Sequence, residues 1–472
     1  MSDKLVENFY AVYDFMAADD YIPNCLNHDT TDIIFKNHGK INGEVMDYYF
    51  KNYTQIPVSV ENLNVHWDIF DNISIDQYDK LSFDKNNCFV YLVEPFANLD
   101  HVLGTEHSYN KKAFVEYMSK KAFNELKNPD NNFYCIVNFC NEGSLNGHTF
   151  DYLYNICERY HIPYHKLIFV IACADLEDLH NRYCEEKNIK DRIKVFYWTW
   201  SIREKVDEAL DILSDEHGRR INFLTKEKSS IVNYSDLDSS KIRNKKFLMF
   251  NRRMREQRVL LVSLLGKKFI EENYISYDFE HACDEANIDF FLPRIDDSLV
   301  NHGLENMKEL LLELPKSKID FDDVINTMGF GCEDKTPYLD SYIHILSETN
   351  FSEPGVYFSE KTWKPIINLQ PFISVNYFNS LKYLKDLGIK TFSPFIDESY
   401  DLVEDDKKRM ELIYKEIMRI NSLPIQELHD WYYSIIDVLK HNRETMLKYN
   451  GKFMRNKEKE YILSIKNYIK KS

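Results

Sequence analysis

Glycine and proline are scarce in this chain, 13 of each in 472 residues. That excludes collagen-like and low-complexity architectures. Cysteine offers no disulfide or zinc framework. The nine are Cys25, Cys88, Cys135, Cys140, Cys157, Cys173, Cys184, Cys283 and Cys332, an odd number with no Cys-x-x-Cys pair. Several stand inside apolar runs such as "FYCIV" and "VIACA", so they are expected to be buried thiols of a reducing compartment. No stretch approaches about 18 uninterrupted apolar residues, and no membrane span is expected. The first residues, "MSDKLVENFYAVYDF", carry acids where a secretory leader needs basic residues before an apolar run. A cytoplasmic protein is the expectation. Basic charge is in deficit as well. Against 76 Asp and Glu stand 59 Lys and Arg, a formal charge of −17, which disfavours broad, non-specific binding to nucleic acid.

What is present is an ordinary globular composition, 44% hydrophobic and 29% charged. The length suits two or three domains with ample core. The charge is uneven. From Lys440 to Lys471 ten Lys and Arg face three Glu, a local +7. Such a tail reads as a solvated helix face or as a surface for phosphate or an acidic partner.

Residues 1–80 show no sustained periodicity and read as an N-terminal extension packed on the first domain. From residue 87 short apolar runs alternate with helical ones. The runs are "CFVYLVE" (88–94), "FYCIVNF" (133–139), "KLIFVIACA" (166–174) and "IKVFYWTW" (193–200). Continuous apolarity over such lengths suits strands buried on both faces of a parallel sheet. Between two of them Phe150, Leu153, Cys157 and Tyr160 recur at helical spacing, and Asp175 is placed to cap the helix after the third. Residues 213–245 are polar and read as a linker. A second α/β unit follows, with "KFLMFN" (246–251) as a strand and a helix closed by Gly266. Further on come a helix over 301–314, the strands "SYIHILSE" and "PFISV", and an almost wholly helical stretch from 404. The fold class is therefore α/β, two doubly wound (Rossmann-like) domains with C-terminal helices. A cleft between two such halves is the default ligand site.

The common catalytic signatures fail. There is no Gly-x-x-x-x-Gly-Lys-Ser/Thr loop, no His-Glu-x-x-His, no Gly-x-Ser-x-Gly elbow and no zinc spacing. Gly329 and Gly331 lack a third glycine. The pairs Asp236/Asp238 and Asp320/Asp322 follow no long strand that would hold them over a metal.

Two segments carry chemistry. In 341–376 a strand ends in Glu348, and a loop leads to a helix opened by Glu360 and Lys361 and capped by Ser359. Free backbone N–H groups at a helix start suit an anion. A lysine in the first turn opposes the helix dipole unless an anion docks there. Glu360 suits hydroxyls such as those of a ribose or sugar. In "KFLMFNRRMREQR" a strand ends at Asn251 and is followed by Arg252, Arg253, Arg255 and Arg258. Their forked guanidiniums suit phosphate. Each segment also reads plainly, as a capped helix start and a solvated basic face.

Together these segments resemble the donor-binding half of GT-B glycosyltransferases, most closely the fucosyltransferase-like group and related phage and giant-virus enzymes. The matching pieces are "MFNRRMREQR", "SETN", Tyr357-Phe358-Ser359-Glu360-Lys361 and "QPFISV", and the resemblance covers roughly residues 245–402. Fucosyltransferases have Phe-Glu-Asn-Ser where this chain has Ser347-Glu348-Thr349-Asn350. The resemblance implies an N-terminal acceptor domain over 81–240, a nucleotide-sugar domain over 241–403, and helices over 404–472 that cross back to the N-terminal domain. It assigns the donor, a UDP- or GDP-sugar, to Asn251, Arg252, Arg255, Arg258, Tyr357, Ser359, Glu360 and Lys361. Arg255 or Arg258 and Lys361 would neutralise the diphosphate without a metal, Glu360 would bind hydroxyls, and Tyr357 would line the base or ribose pocket. Glu348 would sit near the transferred sugar as a catalytic group. A retaining reaction needs no further base, whereas an inverting one needs a base in the N-terminal half, and the sequence leaves both open. Glu142 fits, just past the "FYCIVNF" strand, with Asp175, Glu94 and His148 behind it. The resemblance leaves the acceptor open among a glycan, a protein and hydroxymethylated DNA of a virus or phage. The competing expectation is a catalytically silent α/β protein that binds nucleotides or glycans.

Overall fold

The runs that are apolar at every position become strands because both of their faces are covered. In the computed structural model the described residues are 8–13, 71–74, 87–93, 113–118, 120–139, 147–199, 219–221, 228–251, 255–276, 335–449 and 451–471, with isolated positions between them. The helix expected over 301–314, the Asp320/Asp322 pair, Glu94, Cys25, Cys140, Cys283 and Cys332 lie outside them. The chain divides into two compact units, residues 1–199 with 455–472, and residues 200–454.

The first unit holds β1 (Asn8–Tyr13), β2 (Asp71–Ser74), β3 (Asn87–Val93), α1 (Lys120–Lys127), β4 (Phe133–Phe139), α2 (Thr149–Tyr160), β5 (Leu167–Ile171), α3 (Leu176–Glu186) and β6 (Lys194–Tyr197). Its strands form one parallel sheet in the order β2-β1-β3-β4-β5-β6. Residues 1–80 are therefore more than a packed extension, since β1 pairs with both β2 and β3 inside the sheet. Alternate residues divide the sheet into two faces. Phe133, Cys135, Val137 and Phe139 join Leu167, Phe169 and Ile171 in one core, closed by Leu126 of α1, Leu153 and Cys157 of α2, and Leu176 and Cys184 of α3. The intervening Tyr134, Ile136, Ile168 and Val170 are equally buried on the opposite face. Cys88, Cys135, Cys157, Cys173 and Cys184 are buried and unbridged, and burial pushes the Cys88, Cys135 and Cys157 thiols well up.

The second unit follows with a short antiparallel pair, β7 (Arg219–Ile221) and β8 (Lys228–Ser230), then β9 (Lys245–Met249), α4 (Glu256–Glu272), β10 (Tyr274–Ile275), α5 (Thr336–Leu339), β11 (Ser341–Ser347), α6 (Glu360–Ile367), β12 (Phe372–Val375), α7 (Ser380–Asp386), α8 (Asp406–Ser422), α9 (Ile425–Ser434) and α10 (Ile436–Leu447). Its parallel sheet has the order β10-β9-β11-β12. The polar stretch read as a linker reaches well into this unit. Ile231 and Val232 are buried, the Val232 N–H donates to Asn368 at 3.0 Å, and Arg443 donates to the Val232 carbonyl at 2.7 Å. Gly266 interrupts α4 as expected, at φ 73° and ψ 171°, but a further helical stretch runs on to Glu272.

The last helix, α11 (Gly451–Lys471), returns from the second unit to the first. Tyr461 stacks on Trp198 with ring centroids 5.1 Å apart and meets Phe196 edge-on. At the far end Tyr134 donates to the Ile469 carbonyl, and Tyr468 donates to that of His165. Ile462, Ile465 and Ile469 are buried. The helix thus covers part of the sheet face left open by α1, α2 and α3.

Two outcomes are expected. Deleting residues 452–472 uncovers three isoleucines, each worth about 1.5–3 kcal/mol of burial, and should lower the melting temperature. A truncated chain that melts with the full one would refute the docking. The second concerns Asp401, which caps α7 by accepting from Ser380 Oγ at 2.9 Å and the Leu381 N–H at 3.0 Å. Burial raises its carboxyl from 3.8 to about 6. A raised folded value stabilises below the unfolded one, and that stability disappears as pH rises through the folded value. Relative to Asp401→Asn, the wild type should lose up to about 3 kcal/mol between pH 4 and pH 7. Urea unfolding at both values measures this, and a pH-independent difference counts against it.

Candidate functional site

In a parallel sheet all carboxyl ends lie along one edge. In the second unit that edge is followed by Asn251 after β9, Ser276 after β10, Glu348 after β11 and Asn376 after β12. All four are buried. Glu348 has no exposed surface, and a carboxyl group buried there demands hydrogen-bond partners. It has five. One oxygen accepts from the Ser359 N–H at 3.0 Å, the Thr362 N–H at 3.1 Å and Thr362 Oγ1 at 2.5 Å. The other accepts from Ser359 Oγ at 2.6 Å and the Thr349 N–H at 3.1 Å. Ser359 is the N-cap of α6, and its Oγ accepts in turn from the Lys361 N–H.

This arrangement changes two expectations. The start of α6 does not present an open set of amides to a ligand anion, because Glu348 already occupies those of Ser359 and Thr362. Glu348 itself, expected beside the transferred sugar, has both oxygens engaged inside the protein. Its carbonyl is gripped too, from α4. Gln257 Nε2 donates to it at 2.8 Å and to the Thr349 carbonyl at 3.2 Å, and Arg258 donates to the Ser347 and Glu348 carbonyls at 3.1 and 3.4 Å.

Beside this network, in the first turn of α6, stand Glu360 and Lys361. Lys361 Nζ lies 2.6 Å from Glu360 Oε1 and 3.2 Å from Ser359 Oγ. The two side chains are 24% and 23% exposed. Burial lowers the Lys361 ammonium below the usual lysine range; Glu360 and Glu348 oppose that shift, and Arg258 adds to it. A lysine whose charge is held up by two carboxylates and pressed by a guanidinium would gain from a further anion.

The remaining sequence candidates are placed as follows. Arg258 is buried at the strand-end carbonyls, whereas Arg255 is half-buried at the N-cap of α4. Asn251 donates to the Ser276 carbonyl at 3.3 Å, and its Oδ1 is buried without a hydrogen-bond partner. Tyr357 is half-buried in the loop before Ser359. Arg252 and Glu142 lie outside the described residues. Asp175 stands at the N-cap position of α3, yet its side chain makes no cap bond; it accepts from Cys173 Sγ at 3.1 Å. His148 is 76% exposed and faces Asp151. Gln257 and Thr362 escaped the sequence reading, since their partner Glu348 is 91 and 14 residues away. Among the described residues no group of three His, Cys, Asp or Glu is arranged to hold a metal, and no helix is long and apolar enough to cross a membrane.

No family model and no curated protein matches the chain. Among solved structures it is similar to an α,α-trehalose-phosphate synthase (UDP-forming) from Burkholderia vietnamiensis, at 10% identity and a TM-score of 0.36 over 90% of this chain and 84% of that one. An α,α-trehalose 6-phosphate synthase from Burkholderia multivorans follows, at 9% and 0.35 over 90% and 80%. The N-terminal domain of Candida albicans trehalose-6-phosphate phosphatase gives 11% and 0.31 over 85% and 90%. At TM-scores this low neither fold nor activity follows from the likeness.

Glu348→Ala should destabilise the chain by about 3–5 kcal/mol in urea unfolding, since several buried donors lose their acceptor at once. Glu348→Gln, which keeps one acceptor oxygen, should cost less, about 1–3 kcal/mol. An alanine variant as stable as the wild type would remove Glu348 from this role.

Proposed function

We propose that the chain is a glycosyltransferase that moves a sugar from a UDP- or GDP-sugar to an acceptor hydroxyl without a metal. The observation that carries this reading is the grouping at the carboxyl edge of the second sheet. The residues of the "SETN" and Tyr-Phe-Ser-Glu-Lys segments, which resemble the fucosyltransferase-like GT-B group, are hydrogen-bonded to one another there and joined to α4 through Gln257 and Arg258.

In this proposal the donor diphosphate docks on Lys361 and Arg255, and Arg252, outside the described residues, is a further candidate for the donor. Arg258 adds positive field from beneath, although its guanidinium is committed to the strand end. The ribose or sugar hydroxyls take Glu360, which is released as the diphosphate becomes the partner of Lys361. Asn251 Oδ1 offers a further acceptor, and Tyr357 lines the base or ribose pocket. Glu348 is a positioning group for α6. As the acceptor oxygen bonds to the anomeric carbon, the bond to the diphosphate breaks, and fixed cations stabilise the departing charge. In an inverting reaction the acceptor proton goes to a base, for which Glu142 is proposed and Asp175 is the alternative; a retaining reaction needs no such base. The acceptor is a glycan, a protein or hydroxymethylated DNA of phage type, and the basic α11 would give the last of these a phosphate-binding face. Release of free sugar from UDP- or GDP-sugars without acceptor separates this enzyme from a silent nucleotide-binding protein.

Lys361→Ala should abolish transfer and weaken UDP or GDP binding by about 1.5–3 kcal/mol, the worth of a charge-assisted hydrogen bond, while circular dichroism stays that of the wild type. Unchanged calorimetric affinity in this variant would overturn the assignment.

A further inference from the structure

The loop from Thr349 to Phe358 joins the buried Glu348 to the cap of α6 and carries Tyr357. Ten residues between two fixed points would ordinarily be mobile, but this loop is pinned. Val356 and Phe358 point into the core, and Phe358 packs edge-on against Trp363. Asn350 Nδ2 donates to the Gly355 carbonyl at 3.1 Å, closing a turn in which Gly355 takes φ 117°, a conformation reserved for glycine. Ser352 and Glu353 at the tip are exposed.

The remaining anchor comes from α8, far along the chain. Arg409 is 1% exposed. Its guanidinium donates to the Val403 and Glu404 carbonyls at 2.8 and 2.9 Å and pairs with Asp406. It also donates to the Phe351 carbonyl at 2.6 Å and lies 4.3 Å from the centre of the Phe351 ring. A planar fork with donors on both sides can hold several carbonyls and stack at once; a lysine cannot. The cost of burying this cation is offset by bonds that end, on one side, on the Tyr357 loop.

We propose that Arg409 is a positioning residue that fixes the nucleoside-binding side of the donor site, acting through Phe351 on the loop that presents Tyr357. The proposal rests on the donor-site reading given above. It separates two parts of one ligand. The diphosphate meets Lys361, held by Ser359 and α6, whereas the nucleoside meets the loop. Loosening Arg409 should therefore harm recognition of the nucleoside far more than recognition of bare pyrophosphate, which general destabilisation would not do.

The experiment is calorimetric titration of UDP, GDP and inorganic pyrophosphate into the full-length wild type, Lys361→Ala, Arg409→Lys and Asp406→Asn, well below each melting temperature. Arg409→Lys should weaken the bound nucleoside diphosphate about tenfold or more, change pyrophosphate affinity less than threefold, and speed amide exchange over residues 349–358. Asp406→Asn, which keeps the guanidinium and its bonds to Phe351, should leave both affinities within twofold. If Arg409→Lys does not fold, Phe351→Leu removes the ring under the guanidinium, keeps the carbonyl, and should show the same split in milder form. Equal weakening of both probes, or wild-type affinity for both, overturns the positioning role. Wild-type pyrophosphate binding by Lys361→Ala, or no binding of any probe by the wild type, instead overturns the donor site and the proposal with it.

Discussion

A carboxylate shut away from water at the end of β11 must find its donors inside the protein, and the second unit is arranged around that demand. Glu348 reaches five donors only because the chain turns back within eleven residues and starts a helix beside it. That helix, α6, has eight residues, too few to stand alone in water. Its first turn is held by an acid brought in from the sheet, where the field of the helix start favours a negative charge. The same solution recurs at α7, seven residues long, where Asp401 serves Ser380 and Leu381. Short helices on the strand ends are thus fixed by acids distant in sequence, and the geometry of the edge follows from those bonds.

The cations obey a complementary rule. Arg243, Arg258, Arg409 and Arg443 are buried in the second unit, and each donates to main-chain carbonyls. Three also lie over aromatic rings, Arg243 at 3.8 Å from the centre of Tyr432, Arg409 over Phe351 and Arg443 over Tyr234. In a chain of net charge −17, these guanidiniums serve as cross-links between strands, loops and helices, with little left over for a ligand. The count of arginines near a strand end is therefore a poor guide to phosphate binding. Arg258, in the "NRRMREQR" run, is one of the cross-links, and Arg255, three residues earlier, is the more exposed of the two.

The alternation of apolar runs with helical ones was enough to expect two parallel α/β units, because strands buried on both faces cannot hide their composition. β1 escaped because its neighbours in the sheet, β2 and β3, lie about 60 and 80 residues further along the chain, and a six-residue strand has too little pattern of its own. Residues 231–245 looked like linker because they are mostly polar; two buried apolar residues, Ile231 and Val232, are joined by Arg243 and by main-chain bonds to Asn368 and Arg443 in packing the segment. Gly266 was read well, since its positive φ is a local property. Ser359 as a cap was also local and legible. Glu348 was found as a strand-end acid, but its occupation by Ser359 and Thr362 depends on how a loop closes, which no spacing encodes. Asp175 shows the limit of cap rules, since the position is right and the side chain turns to Cys173.

Rigidity and exchange are consequently separated within one site. Glu348 cannot be displaced without stranding several donors, and Arg409 cannot leave Phe351 without exposing a buried charge. The Lys361–Glu360 pair differs, because both side chains keep about a quarter of their surface in water. A partly exposed pair of adjacent residues contributes little to stability, so opening it costs little. In the proposed function the donor diphosphate would take the ammonium, and sugar hydroxyls would take the carboxylate. The fixed carboxylate therefore sets where the Lys361–Glu360 pair stands, and in the proposed function the ease of parting that pair would serve the donor.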